Sequence, residues 1–210
     1  MVHLEHTTNS ITLRGELEAL PEFSHENHGR TFYRFTLLVP RLSGAVDRLP
    51  IIAEDRLLEQ IDPNGGELLT VTGQVRSHNV RTDTGRRLLI FVFAMDLRAE
   101  DGDPINEVTL EGALCREPTY RRTPLGREIC DIMLAIPRAF HRAEYLPCIL
   151  WGRTAQEGSR LHTRDRIRIQ GRLQSRIYTK ITAYPYSMEL MPRLAPRYMK
   201  SEILAPILKR

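Results

Sequence analysis

Four arginines and a tyrosine at strand spacing are the side chains best suited to chemistry in this sequence. Between Asp165 and Lys180, Arg166, Arg168, Arg172, Arg176 and Tyr178 share one parity, while Ile167, Ile169, Leu173 and Ile177 share the other. Successive side chains of an extended strand point to opposite faces. One face would therefore seal a core, and the other would carry guanidinium groups and a ring. Fixed cations beside a flat π-surface suit a polyanion that carries flat bases. Gly171 interrupts the alternation, where a bulge or a close backbone approach is expected.

Other chemistry finds little support. His25 and His28 are spaced H-x-x-H in a loop with no third ligand, so no metal is expected there. Cys115, Cys130 and Cys148 form no C-x-x-C pair; they read as small buried hydrophobes of a reducing compartment. Glu16, Glu18, Glu22 and Glu26 read as a solvated carboxylate face. No glycine-rich phosphate loop, nucleophile with base, or catalytic acid pair occurs. A protein that is not an enzyme and needs no metal or cofactor is expected. No apolar run approaches the roughly 18 residues of a membrane span, and the start has no signal-peptide core. A cytoplasmic location follows as an expectation.

These side chains need elements to hold them. The chain has 210 residues, 41% of them hydrophobic, enough for one large core or two small ones. Its net charge of +4 conceals an uneven distribution: residues 1–104 carry −5 and residues 105–210 carry +9. The halves should therefore do different work.

Comparison of the chain with itself shows a repeat. Asn9-Ser-Ile-Thr-Leu-Arg-Gly15 matches Asn106-Glu-Val-Thr-Leu-Glu-Gly112, and Pro21, Gly29-Arg30, Val39-Pro40-Arg41 and Leu49-Pro50 recur at the same offset of 97. Gly73 and Gly171 continue it at 98, and Met95 and Met188 close it at 93. The acidic segment 100–105 reads as the linker between two copies of one fold.

Alternation and β-branched content predict five strands per copy. In the first they fall near residues 10–20, 31–39, 48–53, 67–77 and 87–97. In the second they fall near 107–116, 127–136, 145–151, 165–175 and 182–190. Asp83-Thr84-Gly85 predicts a hairpin turn. Short helices are expected at 54–61 and 154–161. Pro185 puts the last strand at an edge or a bend, and the prolines beyond 192 suggest a basic extended tail. Three strands, a helix and a hairpin are the order of an OB-fold. The expected fold class is all-β with short helices: two tandem five-stranded OB-fold barrels, at 1–99 and 106–191, with a tail at 192–210.

The second copy resembles the bacterial single-stranded DNA-binding protein family. The likeness rests on Pro118-Thr-Tyr-Arg-Arg-Thr-Pro-Leu-Gly126, Ile149-Leu-Trp-Gly-Arg153 and Gly171-Arg-Leu-Gln-Ser-Arg-Ile-Tyr-Thr179, in that order. The resemblance implies base stacking on Tyr145 and Trp151 of the third strand, Tyr178 of the fourth and Phe140 of the loop between. It also implies phosphate contacts from Arg121, Arg122, Arg153, Arg168, Arg172, Arg176 and Lys180, with Arg166 on the same strand face. Trp151 shares parity with Tyr145 and not with Leu146, Cys148 and Leu150, so it should face outward.

Shifting these positions back by the repeat offset gives a different set. Tyr145 falls on Arg48, Trp151 on Glu54, Phe140 on Ser43 and Tyr178 on Val80, while Arg166, Arg168 and Arg172 fall on Leu68, Thr70 and Gln74. The first copy is therefore expected to be scaffold or oligomer interface with an acidic, aromatic-poor outer face, and Phe32 and Phe91 are not expected to touch a ligand.

The resemblance implies a nucleoid-associated protein that coats exposed single strands in replication, recombination or repair with little sequence preference. A homodimer would supply the four barrels usual in that family. The family's acidic recruiting tail has no counterpart in Ile203-Leu-Ala-Pro-Ile-Leu-Lys-Arg210, so replication or repair partners would not be recruited by that route. Two rivals remain: a primosome-type accessory acting through protein contacts, and an RNA-binding OB module.

Overall fold

The computed structural model describes residues 8–61, 63–82, 85–178, 198–204 and 207–208. The first copy contains β1 (Asn9–Leu17), β2 (Glu22–Asn27), β3 (Arg30–Pro40), β4 (Val46–Glu54), α1 (Asp55–Glu59), β5 (Leu68–Thr82) and β6 (Gly85–Ala99). β1 pairs with β3 and β5, β3 with β4, β4 in parallel with β6, and β6 with β5. Those five strands close a ring, which removes free sheet edges. β2 is an arm hydrogen-bonded to β3.

The second copy repeats the plan with β7 (Ile105–Leu114), β8 (Thr119–Arg122), β9 (Glu128–Arg138), β10 (Arg142–Trp151), α2 (Arg153–Gly158), β11 (Arg166–Tyr178), β12 (Tyr198–Leu204) and β13 (Ile207–Leu208). β7, β9, β10, β12 and β11 form its ring. The molecule is a tandem of two OB-fold barrels.

Alternation explains the strands. Along β1, Ile11, Leu13 and Leu17 are buried while Thr12, Arg14 and Glu16 face outward. The same two-residue period buries Ile167, Ile169 and Leu173 of β11, the apolar parity expected there. Leu57 and Leu58 of α1 plug the first barrel. Gly112 marks a close crossing, where a Cβ would lie 2.5 Å from the Ala135 carbonyl oxygen. Gly15, its counterpart, would meet the Leu38 carbonyl oxygen.

Several details depart from expectation. The strand that closes the second barrel is Tyr198–Leu204, paired with β10 and β11, within the stretch expected to be a tail. The strand expected at 182–190 and Pro185 lie outside the described residues. β5 and β6 form one long hairpin, continuous to the pair Thr82↔Gly85; turn residues 83 and 84 lie outside the described set. The register shift falls at Thr72/Gly73 in the first copy. β11 keeps one register on both sides of Gly171, from Ile169↔Ile207 to Arg172↔Leu204. Cys130 and Cys148 are buried, but Cys115 is exposed, because it follows the end of β7 and escapes the inward parity.

The barrels join edge to edge through antiparallel β1 and β7, with Ile11 opposite Val108. These two residues are equivalents in the repeat, so a local two-fold axis passes between them. Asn9 and Asn106 are equivalents as well. Asn9 Nδ2 donates to the Val75 carbonyl at 2.8 Å, and Val75 N–H donates to Asn9 Oδ1 at 2.9 Å. Asn106 makes the same pair with Leu173 at the same two distances. Each side-chain amide thus mimics a strand peptide beside the junction, satisfying backbone groups that would otherwise be buried unpaired.

Candidate nucleic-acid interface

β10 sorts most of its side chains by parity, although Ile149, of the same parity as Tyr145, is buried as well. Leu146, Cys148 and Leu150 are buried, and Tyr145 is 50% exposed. Trp151 ends the strand half-buried. Among the described residues its indole Nε1 is buried without a hydrogen-bond partner. Thr154 donates its hydroxyl to the Trp151 carbonyl at 2.8 Å, tying the turn into α2 to this ring. Burial pushes the Cys148 thiol well up, which suits an inert core side chain.

Phe140 is at the tip of the three-residue loop between β9 and β10, 92% exposed. Phe140 and His141 both have positive φ, 60° and 54°. Bulky side chains rarely adopt that conformation, and such strain tends to gather at functional loops.

The arginines divide. Arg121 pairs with Asp131 at 2.7 Å, Arg122 with Glu128 at 3.0 Å and Arg153 with Glu157 at 3.6 Å. Hydrogen bonds from Tyr120, Gln156 and Arg122 hold the Glu128 carboxyl below its ordinary value. On β11, Arg166 is exposed and stands 3.8 Å from Glu111. Arg168 is half-buried, and Arg172 is exposed. With the Gln174 amide turned to satisfy its neighbours, Arg172 donates to its oxygen at 3.0 and 3.2 Å. Exposed pairs of this kind are weak and can be exchanged for a phosphate. Arg176 and Tyr178 lie on the backbone of β11, with side chains outside the described set; Lys180 lies outside the described residues.

These residues do not form a single cluster. Tyr145, Trp151, Phe140, Arg121 and Arg122 belong to the β8–β9–β10 sector. Arg166, Arg168 and Arg172 belong to β11, which is adjacent to β10 on neither side of the ring: β12 intervenes one way, β7 and β9 the other. A ligand touching both groups has to bend around the barrel.

A groove of about 850 Å³ opens between β2, β4 and the β5–β6 hairpin. Its apolar wall includes Phe32, Phe91 and Phe93, and Arg48, Arg76 and Arg138 stand along it. His25 lies parallel to Phe32 at 4.9 Å. The repeat offset does not point to these residues, because it carries over only the positions of the second copy. The alternation of Phe91 and Phe93 about Val92 was a readable signal.

The model of the Single-strand binding protein family matches residues 105–190. Single-stranded DNA-binding protein B of Bacillus subtilis (strain 168) is 33% identical over 81 residues, 35% of this chain and 71% of that protein. Single-stranded DNA-binding protein 1 of Staphylococcus aureus (strain COL) is 32% identical over 81 residues, and the chain spans about half of its length, 48%. The crystal structure of the wild-type single-stranded DNA binding protein from Thermus aquaticus superposes with a TM-score of 0.74 over 96% of this chain and 92% of that one, at 21% identity. That structural likeness speaks for the tandem fold.

Proposed function

The chain belongs to the single-strand binding protein family, and from that premise we propose that it binds single-stranded DNA and coats exposed strands in replication, recombination or repair. The observation that carries this reading is β10, which leaves Tyr145 exposed and Trp151 half-exposed and follows the loop that carries the exposed Phe140. Aromatic platforms tolerate any sequence because every base has a π-face, and each stacked base contributes about 1–3 kcal/mol. Flanking arginines supply the phosphate contacts. In this reading the second barrel holds the strand, and the protein acts by binding and not by catalysis. A homodimer would bring four barrels together, which light scattering in solution tests. The site of action is the cytoplasm, on the nucleoid; among the described residues no helix is long and apolar enough to cross a membrane.

Titration with poly-dT and with matched duplex, read by the fluorescence of Trp151, tests the function. Quenching by poly-dT and none by duplex is expected. Equal quenching by both, or by neither, would overturn the reading. Competition between deoxy and ribo oligomers separates DNA from RNA as the preferred strand.

A further inference from the structure

We propose that copies of this chain join head to tail, the acidic edge strand β2 of one copy pairing with the basic edge strand β8 of the next. The inference rests on strand edges and charge, and not on the proposed function.

Both strands present an open edge. β2 ends the order of strands and is bonded to β3 alone, and β8 is bonded to β9 alone; among the described residues no other strand covers either. Both lie outside the closed rings, and nearly every side chain on them is exposed. An uncovered edge is a row of backbone N–H and C=O groups that can template another strand. Neither strand carries the lysine or proline that commonly blocks such pairing. Each also carries a ring in the open. Phe23 is 60% exposed and Tyr120 39%, and the two are equivalents in the repeat.

Charge selects the partner. In the first arm the acids lie on the outer strand: Glu22 of β2 pairs with Arg34 of β3 at 3.0 Å, and Glu26 stands exposed on β2. In the second arm the order is reversed: Arg121 and Arg122 of β8 pair with Asp131 and Glu128 of β9, at 2.7 and 3.0 Å. Setting β2 against β8 therefore gives a row of alternating sign: Arg34, Glu22, Arg121, Asp131. An antiparallel register that puts Phe23 opposite Tyr120 also puts Glu22 opposite Arg121. Opposite charges and paired rings across strands both stabilise a sheet, and like charges directly opposite destabilise it. β2 against a second β2 would bring acids together, and β8 against a second β8 would bring guanidiniums together. The contact thus joins two different edges of one chain, a heterologous interface that repeats from copy to copy. The register shift between Phe23 and His25 bends β2 and keeps the matched stretch short, so the association is weak and sensitive to salt.

Sedimentation velocity without nucleic acid, at low salt and over a wide range of concentration, tests the contact. The wild-type chain should keep gaining mass past a dimer as concentration rises. Glu22→Lys with Glu26→Lys makes both edges basic, and Arg121→Glu with Arg122→Glu makes both acidic. Each double variant alone should lose that growth and stop at a dimer or below. An equimolar mixture of the two should regain it, since every edge again meets its opposite. A wild-type chain that stops at a dimer, a variant that grows like wild type, or a mixture that does not grow would overturn the proposal. p-Benzoylphenylalanine in place of Phe23 gives a second reading that needs neither charge variant. Irradiation should yield a covalent dimer with its adduct within residues 119–122, and adducts elsewhere, or none, would overturn the contact even if a charge variant fails to fold. Because no DNA is present, either result leaves the proposed function standing.

Discussion

Asp47 and Glu144 occupy equivalent places 97 residues apart, and each accepts the backbone N–H of a serine in the opposite barrel. Ser175 donates to Asp47 Oδ1 at 2.7 Å, and Ser77 donates to Glu144 Oε2 at 2.7 Å. Both carboxylates are nearly inaccessible, at 1% and 2%. Arg41 pairs with Asp47, as its counterpart Arg138 pairs with Glu144. Arg48 N–H donates to Ser175 Oγ at 2.8 Å, and Tyr145 N–H donates to Ser77 Oγ at 3.2 Å. The internal two-fold is thus built twice over, in the β1–β7 junction and in these crossed contacts. Tyr145 is held at the seam through its own backbone.

Removing one member of such a network leaves a buried group without its partner. Glu144→Ala is expected to destabilise the chain by about 3 kcal/mol, since the mostly buried Arg76 would lose its carboxylate, whereas the exposed Arg138 can turn to water. Glu144→Gln, which keeps acceptor and shape, should cost less. Urea unfolding of the two variants measures the difference. Equal small losses for both would show that the carboxylate does not fasten the barrels.

The same residue sets an acid limit. Burial opposes the charged form of Glu144, but the hydroxyl and N–H of Ser77 and the Arg76 guanidinium outweigh it and hold the carboxyl below its ordinary value. Its folded pKa is therefore lower than the unfolded value of about 4.3. The stabilisation is fully present above that unfolded value and is lost as pH falls through the depressed folded one. Urea midpoints followed from pH 7 to pH 3 should drop more steeply for wild type than for Glu144→Gln. Parallel acid limbs would contradict this assignment.

The repeat made the fold legible because the spacing that keeps two barrels alike also keeps their inward residues alike. Leu69, Val71 and Val75 fall on Ile167, Ile169 and Leu173, and all six are buried. The closing strand at Tyr198–Leu204 was not legible, because three prolines between 192 and 206 read as extended tail and the pairing with β11 is set by tertiary register. The outward parity of Tyr145 was readable from its neighbours. The partial burial of Trp151 was not, since it comes at the strand end where α2 begins. Partners of the arginines also escaped, because Asp131 and Glu111 come from other strands.

Close backbone approach gives a separate test of the barrel geometry. A methyl group at Gly112 has no room against the Ala135 carbonyl oxygen, and neither strand can shift without breaking the β7–β9 pairs at Ala113 and Leu114. Gly112→Ala is expected to cost about 1–3 kcal/mol through overpacking. Gly126→Ala is expected to act differently. That turn glycine has open space but a φ of 77°, so the strain there is conformational and should stay near 1 kcal/mol. Thermal unfolding of the pair ranks them, and a larger loss at Gly126 would contradict the tight crossing.

Stacking and charge can be told apart at the proposed site by salt. Tyr145→Ala removes a ring and no charge, so it should lower affinity by about 1–3 kcal/mol at every ionic strength. Arg172→Gln removes a charge from an exposed side chain on β11, a strand not adjacent to β10. If the strand bends around the barrel to reach it, the slope of log K against log salt should become shallower by about 0.7. The Tyr145 variant should keep the wild-type slope. A wild-type slope in Arg172→Gln would confine the strand to the β8–β9–β10 sector, where Arg121, Arg122 and Arg153 would carry its phosphates, and would remove β11 from the binding surface.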